Sequence, residues 1–193
     1  MGSMQIPLTL KRWRRVEYDR LVELGAFQGE PVELIAGQLI VAEPQGSSHA
    51  SVINKVDYAL RTALPPGWIV RVQSPISLDA DSEPEPDLAV VPGRPGDYHG
   101  SHPARAVLVV EVAESSLDFD RSSKASLYAR SAIPDYWIVN LVDEVLEVYR
   151  DPGPDPTTAP GWRYRSAARL GREDSVTLVS LSGMRLSVSD LLP

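Results

Sequence analysis

The chain has 193 residues, with 19 basic and 26 acidic side chains and a net charge of −7. That length suits one domain with a substantial core and is short for two, and the acidic balance argues against a general nucleic-acid binder while leaving room for a local basic stripe. No cysteine is present, which excludes disulfides, thiolate metal sites and cysteine nucleophiles, so any metal site must use carboxylates, histidines or backbone oxygens.

Met1-Gly2-Ser3 ahead of Met4 reads as an expression scar, and residues 4–193 are expected to form the single domain. No apolar run approaches the roughly 20 residues of a membrane-spanning helix, and no signal-peptide pattern follows Met4. A soluble, cytoplasmic protein is therefore expected. From Arg14 to Gly25, Val16, Leu21, Val22 and Leu24 fit the inner side of a short helix closed by Gly25. "PVELIAGQLIVAE" reads as a hairpin turning at Ala36-Gly37. "SSHASVINKVDYALRTALPPG" predicts a helix capped by Ser47 or Ser48, with Val52, Ile53, Val56, Ala59, Leu60 and Ala63 on its inner face and Pro65-Pro66-Gly67 as its stop.

Strands follow: "WIVRVQSPISL", "PDLAVV" and "RAVLVVEVA". One helix, "DRSSKASLYARSA", precedes Pro134, and "YWIVNL" and "VLEVYR" resume the strands. Residues 151–161, "DPGPDPTTAPG", read as a long surface loop rather than a domain boundary, because strand-like segments flank them closely. The tail adds "WRYRSAARL", "SVTLVSL" and "RLSV". Helices around a central set of strands predict a layered, mixed α/β domain.

Within this pattern Glu111 is anomalous. It interrupts the aliphatic run from Ala106 to Ala113, which reads as a strand buried on both faces. A buried carboxylate costs several kcal/mol unless a cation, a metal or hydrogen bonds compensate it. Upstream, Asp87 opens an apolar strand after Pro86, and the Pro- and Gly-rich stretch between the two strands suggests an antiparallel pair joined by a long loop. If Val91 lies opposite Val107, Asp87 falls opposite Glu111 on the same face.

Two carboxylates converging at one end of a sheet call for a cation between them. Magnesium suits the task, since it takes hard oxygen ligands from one or two carboxylates and completes its shell with water. Such an ion polarises a phosphoryl oxygen and acidifies a bound water, the two needs of phosphodiester hydrolysis. Lys124, expected in the first turn of the helix after Glu111 with Asp118 or Asp120 as N-cap, is long enough to reach back over the strand end. There it would orient the water or steady developing charge. The competing readings are a turn residue for Asp87, a salt-bridged structural residue for Glu111, paired with Arg71 or Arg105, and a solvated helix surface for Lys124.

These residues resemble the PD-(D/E)XK nuclease superfamily, in which Pro-Asp opens one strand and (Asp/Glu)-X-Lys closes the next. The match is closest to the Uma2 family of restriction-endonuclease-like proteins. It runs from about Val16 to Asn140, through "VEYDRLVELG", "VELIAGQLIV", "QGSSHA", "VQSPISL", "SEPEPDLAVV" and "VVEVAESSLDFDRSSKASLYARSAIPDYWIVN". Ala113 stands where the superfamily usually has its lysine; the family shares that departure and carries its lysine on the following helix, which Lys124 matches. The resemblance implies a restriction-endonuclease-like fold, a central mixed β-sheet flanked by helices with additional β-hairpins. It also implies a divalent metal, Mg2+ or Mn2+, held by Asp87 and Glu111, and a nucleic-acid substrate.

Glu33 matches an acidic position of the family and is a candidate third acid; its other reading is an outward hairpin residue. His49, near the start of its helix, and Gln73, on a strand expected beside Asp87, are candidate supporting residues. His99 and His102 lie in a Gly- and Pro-rich loop with no further ligand and read as solvated. "KRWRR", residues 11–15, reads as a solvated helix entrance, with phosphate contact as its alternative. Two functions are carried forward: a metal-dependent endonuclease acting on DNA through Asp87, Glu111 and Lys124, or a nuclease-fold module that no longer cuts and binds nucleic acid or a protein partner. Cutting both strands of a duplex favours a homodimer.

Overall fold

In a computed structural model, the structure describes residues 9–42, 45–157 and 161–193, so the proposed scar at residues 1–3 lies outside the described residues. Helix α1 (Arg15–Glu23) leads into a hairpin of β1 (Val32–Ile35) and β2 (Gln38–Val41), followed by α2 (Ser47–Ala63). Strands β3 (Trp68–Val72), β4 (Leu88–Pro92) and β5 (Leu108–Ala113) come next. A helical segment follows, made of α3 (Leu117–Phe119), a π-helical turn (Asp120–Lys124) and α4 (Ala125–Arg130). Strands β6 (Asp135–Asn140), β7 (Val145–Pro154), β8 (Trp162–Leu170), β9 (Ser175–Thr177) and β10 (Arg185–Ser187) complete the order.

Six strands form one mixed sheet in the order β3-β4-β5-β6-β7-β8, with only β5 and β6 parallel. A parallel pair needs a crossover long enough to return the chain to the same end, and the helical segment 117–130 is that crossover. Its route lays α4 across one face of the sheet. Every residue of β5 and β6 is buried, as expected of central strands covered on both sides. Leu108, Val110 and Val112 point toward α2, where Val52, Ile53, Val56 and Leu60 recur at helical spacing, and toward the C-terminal β9–β10 segment. Val109 and Ala113 point to the other face, against Ala125, Leu127, Tyr128 and Ala129 of α4. Glu111 shares the alternation of Val109 and Ala113, which turns it toward α4.

The β1–β2 hairpin turns at Ala36 (φ 48) and Gly37 (φ 76), the two positive angles of a tight two-residue turn. Ala36 is costly there, and its neighbours hold it. The Ala36 amide donates to Ser82 Oγ (3.0 Å), the Gly37 amide to the Asp81 carbonyl (2.7 Å), and the Trp13 amide to the Gly37 carbonyl (2.9 Å). The basic run 11–15 is thereby tied down: Arg12 donates to the Ala36 carbonyl, Arg15 to the Asp79 carbonyl, and Lys11 pairs with Glu17.

Several expectations are corrected. In α1 the inward residue is Tyr18, whose hydroxyl donates to the Val32 carbonyl (2.6 Å) and whose ring stacks on Phe27; Val16, Val22 and Leu24 are exposed. No serine side chain caps α2, which starts from Gly46. The loop expected over 151–161 is in part strand, because β7 continues to Pro154 opposite Trp162. Tyr136, Trp137, Ile138 and Val139 of β6 are core.

Leu88 and Val16 test these assignments together. Leu88→Ala, at a fully buried position, should lower the unfolding free energy in urea by about 2–5 kcal/mol. Val16→Ser, at a residue 70% exposed, should change it by less than about 0.5 kcal/mol. Comparable losses from both would contradict the orientation of α1.

Candidate active site

The register Leu88↔Val110, Ala89↔Val109, Val90↔Leu108, extended by one residue, sets Asp87 across from Glu111, as the strand count predicts. Backbone and side chains lock this end of the pair. Asp87 Oδ2 accepts from the Val112 amide (2.8 Å), and the Asp87 amide makes a long contact with Glu111 Oε2 (3.5 Å). Both carboxylates are buried, Glu111 to 3% exposure.

Lys124 arrives from the crossover. Its Nζ donates to Glu111 Oε1 at 3.0 Å and stands 3.7 Å from Glu33 Oε2 and 4.0 Å from Asp120 Oδ1. It does not sit in a first helical turn, as the sequence suggests. Helical structure begins at Leu117 after Ser116, and Lys124 closes the π-helical turn, so Asp118 and Asp120 lie inside the helix instead of capping it. The Tyr128 hydroxyl donates to the same Glu111 oxygen at 2.7 Å. Neither arginine proposed as a structural partner of Glu111 takes that place: Arg71 lies over the Tyr98 ring and reaches the Pro75 carbonyl and His102, and Arg105 is exposed.

Glu33 comes from the hairpin, where its Oε2 accepts from the Glu85 amide (3.2 Å); it is buried rather than outward-facing. His49, in the first turn of α2, places Nε2 3.2 Å from both Asp87 oxygens. The Gln73 side chain is one step removed from the Asp87 carboxylate: its Nε2 donates to Gln45 Oε1 (2.8 Å), and Gln45 donates to Asp87 Oδ1 (3.2 Å), while the Gln73 backbone amide donates to the Asp87 carbonyl (3.0 Å). Gln73 holds a positive φ of 42, an uncommon conformation for a residue with a side chain, at the point where the chain leaves β3 beside Asp87. Gln45, Asp120 and Tyr128 are the members that sequence reasoning missed. The four-residue spacing of Asp120, Lys124 and Tyr128 was the available signal.

Three carboxyl groups, Glu33, Glu111 and Asp120, thus share one ammonium, and Asp87 stands beside Glu111. Burial pushes Glu111 up to about 8; the carboxylates of Asp120, Asp87 and Glu33 add to this, and Lys124 opposes it. Burial alone would depress Lys124, but Glu111, Glu33 and Asp120 carry it above the ordinary lysine range. Both directions have one origin, an excess of negative charge out of water. Among the described residues no three His, Asp or Glu side chains gather into a ready metal cage. The donor set on offer is Asp87 with Glu111, hard oxygens at one strand end, which fits an ion such as magnesium that takes one or two carboxylates and keeps water.

Two strands away in the same row of the sheet, Glu147 has the opposite character. Arg121 grips it through Nε (3.0 Å) and Nη2, Asn140 donates at 2.9 Å and Tyr149 at 2.8 Å. Burial would raise this carboxyl, but these donors hold it at about 2. Arg121, Glu147, Tyr149 and Arg169 line a cavity of about 440 Å³. A larger cavity, about 730 Å³, opens beside Glu85 and is lined by Tyr18, Phe27, Tyr98 and the two loop histidines, His99 and His102.

Residues 15–189 match the Uma2 family, described as "Putative restriction endonuclease", and the chain belongs to that family. It is also similar to a crystal structure of a "putative nuclease belonging to DUF820" from Anabaena variabilis, with a TM-score of 0.61 and 17% identity over 83% of this chain and 88% of that one. The shared fold is the mixed sheet flanked by helices that the resemblance implies. No curated protein matches the chain. Among the described residues no helix is long and apolar enough to cross a membrane.

The Glu147 network makes a pH prediction. A carboxyl depressed on folding contributes stability that is present above its unfolded value of 4.5 and is lost as pH falls through the folded value of about 2. Glu147→Gln should therefore cost about 2–3 kcal/mol in urea unfolding at pH 7, shrinking toward zero near pH 2. An equal loss at both pH values would show that charge is not what the network stabilises.

Proposed function

We propose that the chain is a divalent-metal-dependent endonuclease that hydrolyses phosphodiester bonds in DNA. The observation that carries this reading is the charge imbalance at the end of the β4–β5 pair: three buried carboxyl groups around a single ammonium, with a fourth, Asp87, beside Glu111. A magnesium or manganese ion held by Asp87 and Glu111 would correct that imbalance. Bound there, such an ion supplies a Lewis acid for the phosphoryl oxygen and an acidified water.

The chain's own residues do the rest. The Val112 amide and His49 fix the Asp87 carboxylate, and Tyr128 fixes the Glu111 oxygen that faces the helix. Lys124 offers a fully charged donor beside them, which orients the attacking water and counters the charge that builds on the phosphoryl oxygens. Glu33 keeps that ammonium protonated and directed toward the strand end. Two copies related by symmetry would bring two such centres to the two strands of a duplex.

A second reading, a nuclease-fold module that binds nucleic acid or a protein without cutting, draws on the net charge of −7 and the depth of Glu111. Magnesium calorimetry, with cleavage assays on duplex DNA, single-stranded DNA and RNA, separates the two. Wild type should bind magnesium and cut DNA. Asp87→Ala and Glu111→Gln should lose the binding heat. Lys124→Ala should keep the heat and lose about 100-fold in cleavage rate. Magnesium binding with every substrate left intact favours the second reading, and no binding heat from the wild type removes the first.

A further inference from the structure

Asp120 is buried to 2% exposure on the segment that carries Lys124, and the sequence gives it only the work of a helix cap. That work is not what it does. The cap position belongs to Ser116, and Asp118 already places an exposed carboxylate in the first turn, where the positive end of a helix favours one. A buried carboxylate costs far more than an exposed one, so its partners explain its place. Ser116 Oγ donates to Asp120 Oδ2 at 2.5 Å, which leaves Oδ1 to face the Lys124 ammonium at 4.0 Å. The Tyr136 hydroxyl donates to the Asp120 carbonyl at 3.1 Å and pins the backbone to the sheet. Asp120, Lys124 and Tyr128 recur at four-residue intervals, and all three face the acid cluster.

The ammonium is therefore held from three sides: by Glu111 on β5 at 3.0 Å, by Glu33 on β1 at 3.7 Å, and by Asp120 on its own helical segment at 4.0 Å. The holds of Glu111 and Asp120 differ in kind. Glu111 is also one of the two carboxylates facing the proposed cation, so a divalent ion there competes for its charge and weakens its grip on the lysine. Asp120, turned toward Ser116 and Lys124, keeps its grip. We infer that Asp120 is a positioning residue that, with Glu33, fixes the Lys124 ammonium when Glu111 turns its charge to a cation. This rests on the reading of Asp87 and Glu111 as the cation site, and it adds a residue that touches neither ion nor substrate.

The chain has three lysines, Lys11, Lys55 and Lys124, so 15Nζ-lysine labelling gives at most three ammonium signals. A pinned ammonium exchanges its protons with water slowly and stays visible. Lys124 in the wild type should remain visible when magnesium is added. In the nearly isosteric Asp120→Asn its exchange should quicken about tenfold and the signal should fade with magnesium. Asp120→Glu should restore it in part, and Ser116→Ala, which frees the carboxylate without removing it, should give an intermediate rate and serves should the asparagine variant not fold. In cleavage, Asp120→Asn should lower kcat about tenfold with KM unchanged. A lowered Tm with an unaltered Lys124 signal would assign Asp120 a purely structural role and overturn the inference. If magnesium leaves the wild-type signals unmoved and no heat of binding is seen, the cation reading has failed; the exchange rates without magnesium then decide whether Asp120 anchors the lysine, equal rates overturning that too.

Discussion

One ammonium group, that of Lys124, connects three separate parts of the chain: β5 through Glu111, the β1–β2 hairpin through Glu33, and its own helical segment through Asp120. Unit charges about 4 Å apart attract by about 4 kcal/mol at the effective dielectric of a protein near its surface, while each buried ion costs several kcal/mol of lost hydration. The Lys124 ammonium alone does not compensate the three carboxyl groups around it on those terms. Hydrogen bonds from the Val112 and Glu85 amides, Tyr128 and Ser116 take up part of the shortfall. On the proposed reading, a divalent ion beside Asp87 and Glu111 would supply the rest.

The fold creates this demand by its connections. The antiparallel β4–β5 pair sets Asp87 against Glu111, and the parallel β5–β6 pair requires a crossover, whose path delivers Lys124 and Tyr128 over the same strand end. Glu147 shows what the same sheet face does with a carboxylate when satisfaction is complete. An arginine, an asparagine and a tyrosine hold it at about 2, whereas Glu111 is driven to about 8. The opposite shifts in one row of one sheet follow from the partners: Glu147 has an arginine and two further donors, whereas burial and neighbouring carboxylates outweigh Lys124 at Glu111.

The parts of the site legible in the sequence were those that broke a local rule. Glu111 stood out because it interrupts an apolar strand, and Asp87 followed by counting along two antiparallel strands. Lys124 followed from its place on the helix after Glu111, with the family resemblance in support, but its position in that helix was misjudged because Asp118 and Asp120 look like caps. Asp120 and Tyr128 escaped for the converse reason: an acid near a helix start and an aromatic on an amphipathic helix each have an ordinary explanation, and only their shared spacing with Lys124 pointed elsewhere. Gln45 sits ahead of α2 and meets Asp87 through tertiary contact that no local pattern encodes. The inner face of α1 was misread because its valines and leucines match helical spacing, while a single tyrosine hydrogen-bonded to the hairpin sets its orientation.

Anomalous diffraction from crystals grown with Mn2+ tests the central claim most directly, because it locates the cation instead of inferring it from charge. The account predicts one strong peak coordinated by the carboxylates of Asp87 and Glu111, with Lys124 still lodged against Asp120. A peak elsewhere, or none at a manganese concentration that saturates the protein, would contradict it and leave the acid cluster a purely structural feature of the sheet.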